Sequence, residues 1–487
     1  MKDTRLLKLI RTFTKEELKS FEKFLLSPFL KPARDTSGLY NYIITYHPDY
    51  DNSKMEKEKV FENLFKGESY NEKKLLNLIF DLTKAAEDFL ALSTLMEDET
   101  ELLLYLSKGY KNKKLSGESQ RVNKMIEKRL QPGFSQNRDY ISKFRELSNL
   151  KSSYFTEMND FENNLLNEKI YFETSAVQFI IDYTRIIDNL STANNTYGID
   201  LKSNFIDSVI SCFDLEKLLT ALEKSENKNK HLILLHYYIL KSKSEEENIL
   251  YYELLRDLFY ELLPSLDREE KCFIFNHLAT YCIRKFGKDN KFFRELLEVY
   301  KAMLENNAYS ESVSEFMQIP TFRNIIFTCR SMKESEWLEY FIKNYSESLN
   351  PKYREDLINY SYAHLYFIKR EYEKSLVSIS AIDQDLFLFK SDLKNLLLQL
   401  YYELGHTEPA FSMVDSYKHF LANTNDISES LKKYSVNFLN FYFKLLKIKS
   451  GQSKEQPEFC RSRIEKEKMI LDKNWLLEKA DELISKG

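Results

Sequence analysis

Apolar residues recur along this chain at intervals of three and four, the period of a helix with one buried face, through almost its whole length. Near the start, Thr14 and Glu17 form a capping box ahead of the stripe Phe21, Phe24 and Leu25, and Ser27-Pro28 ends that helix. A second helix is predicted over about 37–46, ending at His47-Pro48. Ser53 with Glu56 predicts another capping box and a helix through Phe65, closed by Gly67. Asn71 then opens a longer helix to about Leu92, carrying Leu75, Ile79, Leu82, Ala86 and Phe89 at helical spacing. Residues 137–168 read as one helix of about thirty residues, 191–198 (STANNTYG) and 225–230 (SENKNK) as loops, and Asp267 with Glu270 as the cap of a helix that carries Cys272, His277 and Cys282 and ends near Gly287. Ser331 and Glu334 are expected to cap a helix with a buried Trp337.

The most regular stretch is 353–422, two consecutive helical hairpins. A small residue recurs at Ser375 and Ala410, 35 residues apart, with a tyrosine (Tyr366, Tyr401) nine residues before each. Extended one period back, the slot falls at Glu339 or Tyr340, where the residues are bulky. After Ala422, Phe438, Phe441, Tyr442, Leu445 and Leu446 are placed to close the array, followed by a charged helix over 458–471 and a last one with Trp475, Leu476 and Leu477.

At 356–422 the chain resembles a tetratricopeptide repeat array. Counting the small slot as the twentieth position, Ala363 and both tyrosines match the pattern, whereas Leu398, Ile379 and Val414 depart from it and the closing proline is absent. The chain as a whole is similar to all-helical proteins of the Bacteroidota, on its N-terminal KEELKSFEKFLLSPF segment and this repeat region, a likeness that implies fold and not function. The fold class expected is all-α, an α–α superhelix of tetratricopeptide type. Its segments are an N-terminal helical module (1–96), a basic linker and helix (97–135), degenerate helical repeats (136–350), tetratricopeptide-like repeats (351–450) and capping helices (451–487). The resemblance implies peptide or protein binding along a face of first helices, lined by Leu357, Tyr360, His364 and Phe367 and then by Asp392, Asn395, Gln399 and Tyr402.

Composition narrows the function. Glycine and proline number 10 and 9 of 487 residues, about a third of the usual share, so long helices and short connections are expected. A net charge of −4 gives no global field for nucleic acid or an anionic membrane. The local exception is 105–130, where eight Lys/Arg face two Glu. Lys111, Lys113, Lys114, Arg121, Lys124 and Lys128 make this the basic patch of the alternative reading, a nucleic-acid-associated regulator that also uses the N-terminal helices. No run of apolar residues is long enough to span a membrane, no signal peptide is evident, and five scattered cysteines predict thiols in a reducing, cytoplasmic setting.

No catalytic, cofactor or metal motif is found. GxGxxG, GxxxxGK[ST] and HExxH are missing. His231 and His236 are five apart and do not share a helix face. Cys272 and Cys282 would lie about 15 Å apart on a helix, too far for one metal. The function predicted is a non-enzymatic scaffold or adaptor for a protein or peptide, without cofactor.

Overall fold

The computed structural model describes residues 1, 3–27, 34–51, 53–130, 137–197, 208, 212, 214–224, 229–285, 291–382, 390–424 and 429–486. Pro28, the 131–133 break, most of the 225–230 loop and Gly287 lie outside them. Among the described residues the protein is all-helical, and no strand forms. The chain divides into two compact units, Met1–Gln131 with Lys143–Tyr171, and Pro132–Ser142 with Phe172–Gly487.

In the first unit α1 (Arg5–Ile10), α2 (Lys15–Leu25), α3 (Ser37–Ile44) and α4 (Lys57–Leu64) pack on α5 (Glu72–Glu97). The Thr14–Glu17 capping box forms with both bonds in place, and Asn71 caps α5 by accepting from the Lys74 N–H. Leu75, Ile79, Leu82, Ala86 and Phe89 are all buried, and Phe13, Phe21 and Phe89 meet with ring centroids 5.3–5.8 Å apart. The second expected capping box does not form. Ser53–Met55 is a single 3-10 turn that buries Met55, and Glu56 takes the N-cap position of α4 without a side-chain bond. The basic stretch folds as a hairpin of α6 (Glu99–Asn112) and α7 (Ser116–Arg129), held inside by Ser107, which bonds both Ser119 (2.9 Å) and Asn123 (2.7 Å).

The single helix expected over 137–168 is two, α8 (Arg138–Glu157) and α9 (Phe161–Tyr197). Asn159 adopts the left-handed conformation (φ 57°), and Asp160 caps α9 by accepting from the Asn163 N–H. α9 in turn runs through the loop expected at 191–197. Ser, Thr and Asn are only modestly poorer helix formers than alanine, and neither glycine nor proline interrupts the sequence before Gly198.

The second unit continues with α10 (Leu215–Glu223), α11 (Lys230–Ser244), α12 (Ile249–Leu262), α13 (Arg268–Lys285), α14 (Lys291–Glu305), α15 (Ile319–Met332), α16 (Ser335–Tyr345), α17 (Pro351–Ile368), α18 (Tyr372–Ser380), α19 (Lys390–Leu404), α20 (Thr407–Asn423), α21 (Glu429–Lys449), α22 (Pro457–Lys466) and α23 (Lys473–Lys486). From α10 to α23 every helix packs on the next in sequence. Ser375 and Ala410 are fully buried, and the Ser375 hydroxyl donates to the Ala363 carbonyl across the α17/α18 contact at 2.6 Å, an approach a large side chain would prevent. One period back the slot is lost. Tyr340 is 52 % exposed, Trp337 is only half-buried, and Leu338 and Phe341 take the core positions. Ser331 is no cap but a residue of the last turn of α15.

The tight turns share one geometry. At Lys114, Asn159, Asn307, Lys333, Arg370, Gly405 and Gly451 a left-handed residue ends a helix. In each, the next N–H reaches the carbonyl five residues back at 2.9–3.0 Å, a Schellman closure. Two of these seven residues are glycine, so a chain poor in glycine makes its corners from Asn, Lys and Arg.

Candidate functional site

The predicted lining residues sit on α17 and α19, the first helices of two neighbouring hairpins. Tyr360, His364, Asn395, Gln399 and Tyr402 are buried, and Phe367 is half-buried. They are brought together by two arginines of α15 that the sequence analysis did not single out. Arg323 clasps the Asp392 carboxylate, with one bond at 2.7 Å, and the Tyr360 hydroxyl reaches the same carboxylate at 3.5 Å. Arg330, lying over the Phe367 ring at 4.6 Å, extends one nitrogen to His364 Nδ1 (3.4 Å) and the other to the Gln399 side-chain oxygen.

Burial, reinforced by the charges of Arg330 and Arg323, holds the His364 pKa well below the usual imidazole range. The ring is therefore neutral. Because Nδ1 accepts from Arg330, the proton sits on Nε2. Burial and the Asp392 carboxylate push the Tyr360 hydroxyl well up.

This face is covered by α23. Asp472 ion-pairs with Arg330 (3.4 Å) and accepts from the Asn395 amide nitrogen. The Trp475 indole packs on Tyr402 (5.4 Å, 79°) and donates to Glu403 at 2.8 Å. Lys479 pairs with Glu403 (2.9 Å), while Glu478 faces Lys333 (3.5 Å) and Arg370 (3.6 Å). The helix expected as a solvated cap thus turns its polar and aromatic groups inward, against the ends of α15, α17 and α19. Two spacings carry this signal in the sequence: Arg323 and Arg330, seven apart in an otherwise uncharged helix, and Asp472, just before α23, with Trp475 and Lys479 at i+3 and i+7.

A second polar cluster joins α9, α11 and α13. Ser242 Oγ lies 3.0 Å from His277 Nε2, and His277 Nδ1 lies 3.0 Å from Asp188. That is the connectivity of a serine–histidine–aspartate relay. Yet Ser242 is fully buried and also within 3.0 Å of the Ile239 carbonyl of its own helix, while Lys243 takes the Asp188 carboxylate at 2.9 Å. Against burial that would raise it, His277 and Lys243 hold the Asp188 pKa well below the carboxylate range. A nucleophile needs an open approach to a substrate carbonyl. Ser242 has none, and the cluster pins three helices together.

On the same three helices, Glu270 accepts from Arg185 (2.8 Å) and lies 3.1 Å from His236 Nε2. Burial pushes the Cys272 and Cys282 thiols up to about 12, so neither is a reactive thiolate at neutral pH.

The six basic-patch residues, Lys111, Lys113, Lys114, Arg121, Lys124 and Lys128, are exposed on the α6/α7 hairpin. Arg121 is paired with Glu118 and Lys111 with the Ser153 hydroxyl. Lys113, Lys114, Lys124 and Lys128 have no ion pair among the described residues. No family model matches the chain, and no curated protein matches it.

Proposed function

We propose that the protein is a non-enzymatic scaffold or adaptor, a tetratricopeptide-like superhelix that binds a protein or peptide segment through the first-helix face of α15, α17 and α19. The observation that carries this reading is α23. A helix lies on that face, gripped by side chains from three successive hairpins, so the face has the chemistry to hold one. Sequential helix packing and the small, buried slots at Ser375 and Ala410 support the repeat architecture.

A photo-crosslinking residue placed at Lys333 or Arg370, whose side chains are 72 % and 70 % exposed at the rim of the face, tests the reading in the native cell. One protein is expected to be captured from both positions and not from Val377, which is exposed on the second helix of its hairpin. The alternative rests on the four unpaired lysines of the α6/α7 hairpin. Capture of nothing at Lys333 and Arg370 would overturn the scaffold reading in its favour, if accompanied by DNA or RNA binding at about 150 mM salt that Lys111→Glu, Lys113→Glu and Lys114→Glu abolish.

A further inference from the structure

The grip on α23 is incomplete in a specific way. Three polar atoms of the face have no hydrogen-bond partner among the described residues although their side chains are buried: His364 Nε2, Gln399 Nε2 and Asn395 Oδ1. All three belong to residues that converge on Arg330, His364 and Gln399 directly and Asn395 through Asp472. Given the His364 tautomer, they are two donors and one acceptor. Buried groups of this kind are normally satisfied, because the water they give up must be replaced. Asp472, the residue just before α23, accepts from the Asn395 amide nitrogen and bonds none of these three atoms. α23 packs along its length on α21 and α22, and it meets α15, α17 and α19 through side chains. It occupies the face without satisfying all of it.

We propose that α23 is a resident competitor on this face. The ligand it stands in for is a partner's amphipathic helix with the same pattern, a carboxylate, an aromatic three residues on, and a carboxylate–lysine pair at six and seven. This rests on the scaffold reading and names the partner's chemistry. The complementarity is explicit. Arg330 and the Asn395 amide take the first carboxylate. Tyr402 and Glu403 take the aromatic edge and its N–H. Lys333 and Arg370 take the second carboxylate, and Glu403 takes the lysine. A helix arriving in trans with its backbone free to meet His364, Gln399 and Asn395 makes bonds that α23 leaves unmade. Such a difference in affinity is what shifts occupancy from one ligand to another. Tethering gives α23 a high effective concentration, so it masks the face until such a partner is present.

The test uses the full chain and a fluorescent synthetic peptide with the sequence of residues 468–486, read by anisotropy. In the variant Asp472→Ala with Glu478→Ala, which weakens the polar latch and leaves Trp475 and Leu476 in the core, the peptide is expected to bind at least about tenfold tighter than to the unaltered chain. A peptide lacking the equivalents of Asp472 and Trp475 is expected not to bind either chain. Equal affinity for the two chains, or faster amide exchange of α23 in the variant without peptide binding, overturns the proposal. Should the double variant lose the native circular dichroism, Glu478→Lys alone, at a side chain about a third exposed, carries the same comparison. A partner crosslinked at Lys333 and Arg370 together with equal peptide affinities would sink the competitor and leave the scaffold standing.

Discussion

Glu270 shows how far a single side chain can depart from its ordinary chemistry inside this helical stack. It is fully buried in the first turn of α13. Burial alone would raise its pKa, yet His236 and Arg185 hold the carboxyl at about 2, below its usual 4.5. A depressed carboxylate contributes stability that is present above the unfolded-state pKa and lost as pH falls through the folded one. About 3 kcal/mol is therefore expected to drain away between roughly pH 5 and pH 2. Urea titrations at stepped pH check this. Glu270→Gln should cost about 3 kcal/mol at neutral pH by removing the buried carboxylate and leaving Arg185 with Glu269 alone, and it should flatten the acid limb. An unchanged acid limb in the variant would assign the loss to other carboxylates. None of this is readable from the sequence, where Glu269-Glu270 is an acidic pair at a helix start. The pair resolves only when α9 brings Arg185 to both carboxylates and α11 brings His236 to Glu270 alone.

At the scale of the element, the local signals that decide helix starts are the legible ones. The Thr14–Glu17 box, the Asn71 cap and the Asp267 cap all form, because each depends on residues within four positions of one another. Helix ends are less legible. The left-handed closing residue is Asn, Lys or Arg five times out of seven here, and such residues carry no turn signature. That is why the break at Asn159 was invisible and the Ser331 cap misplaced. The same fact gives a prediction. Lys114 is exposed, unpaired and at φ 59°, where a side chain costs conformational energy that glycine avoids, less the extra entropy glycine brings to the unfolded chain. Lys114→Gly is expected to raise stability by about 0.5–1 kcal/mol, measured by chemical denaturation. A loss of stability would mean that the Lys114 side chain contributes more than its backbone costs.

For the molecule, connectivity is the governing feature of the second unit. Each helix from α10 to α23 packs on its sequence neighbours, so a cavity should loosen its surroundings before it unfolds the whole. Phe322, on α15, is fully buried against the Phe341 ring of α16, 5.0 Å away. Phe322→Ala should cost about 3–5 kcal/mol, with amide exchange rising first in α14 to α17. A uniform rise from α10 to α23 would show one cooperative block instead of coupled neighbours.

The helical period, the scarcity of glycine and proline, and the 35-residue recurrence of Ser375 and Ala410 determined the all-helical class, the order of the hairpins and which faces are buried, because those depend on side chains close in sequence. The partners of the buried polar groups were decided only by the tertiary structure. Tyr360, His364, Asn395 and Gln399 stand on the face the pattern assigns to a ligand. Whether that face is open or filled depended on Arg323 and Arg330 from one helix and on Asp472 and Trp475 at the start of another, up to 115 residues away along the chain. Burying a polar group is costly unless a partner is supplied, and no local pattern specifies a partner that distant folding must deliver.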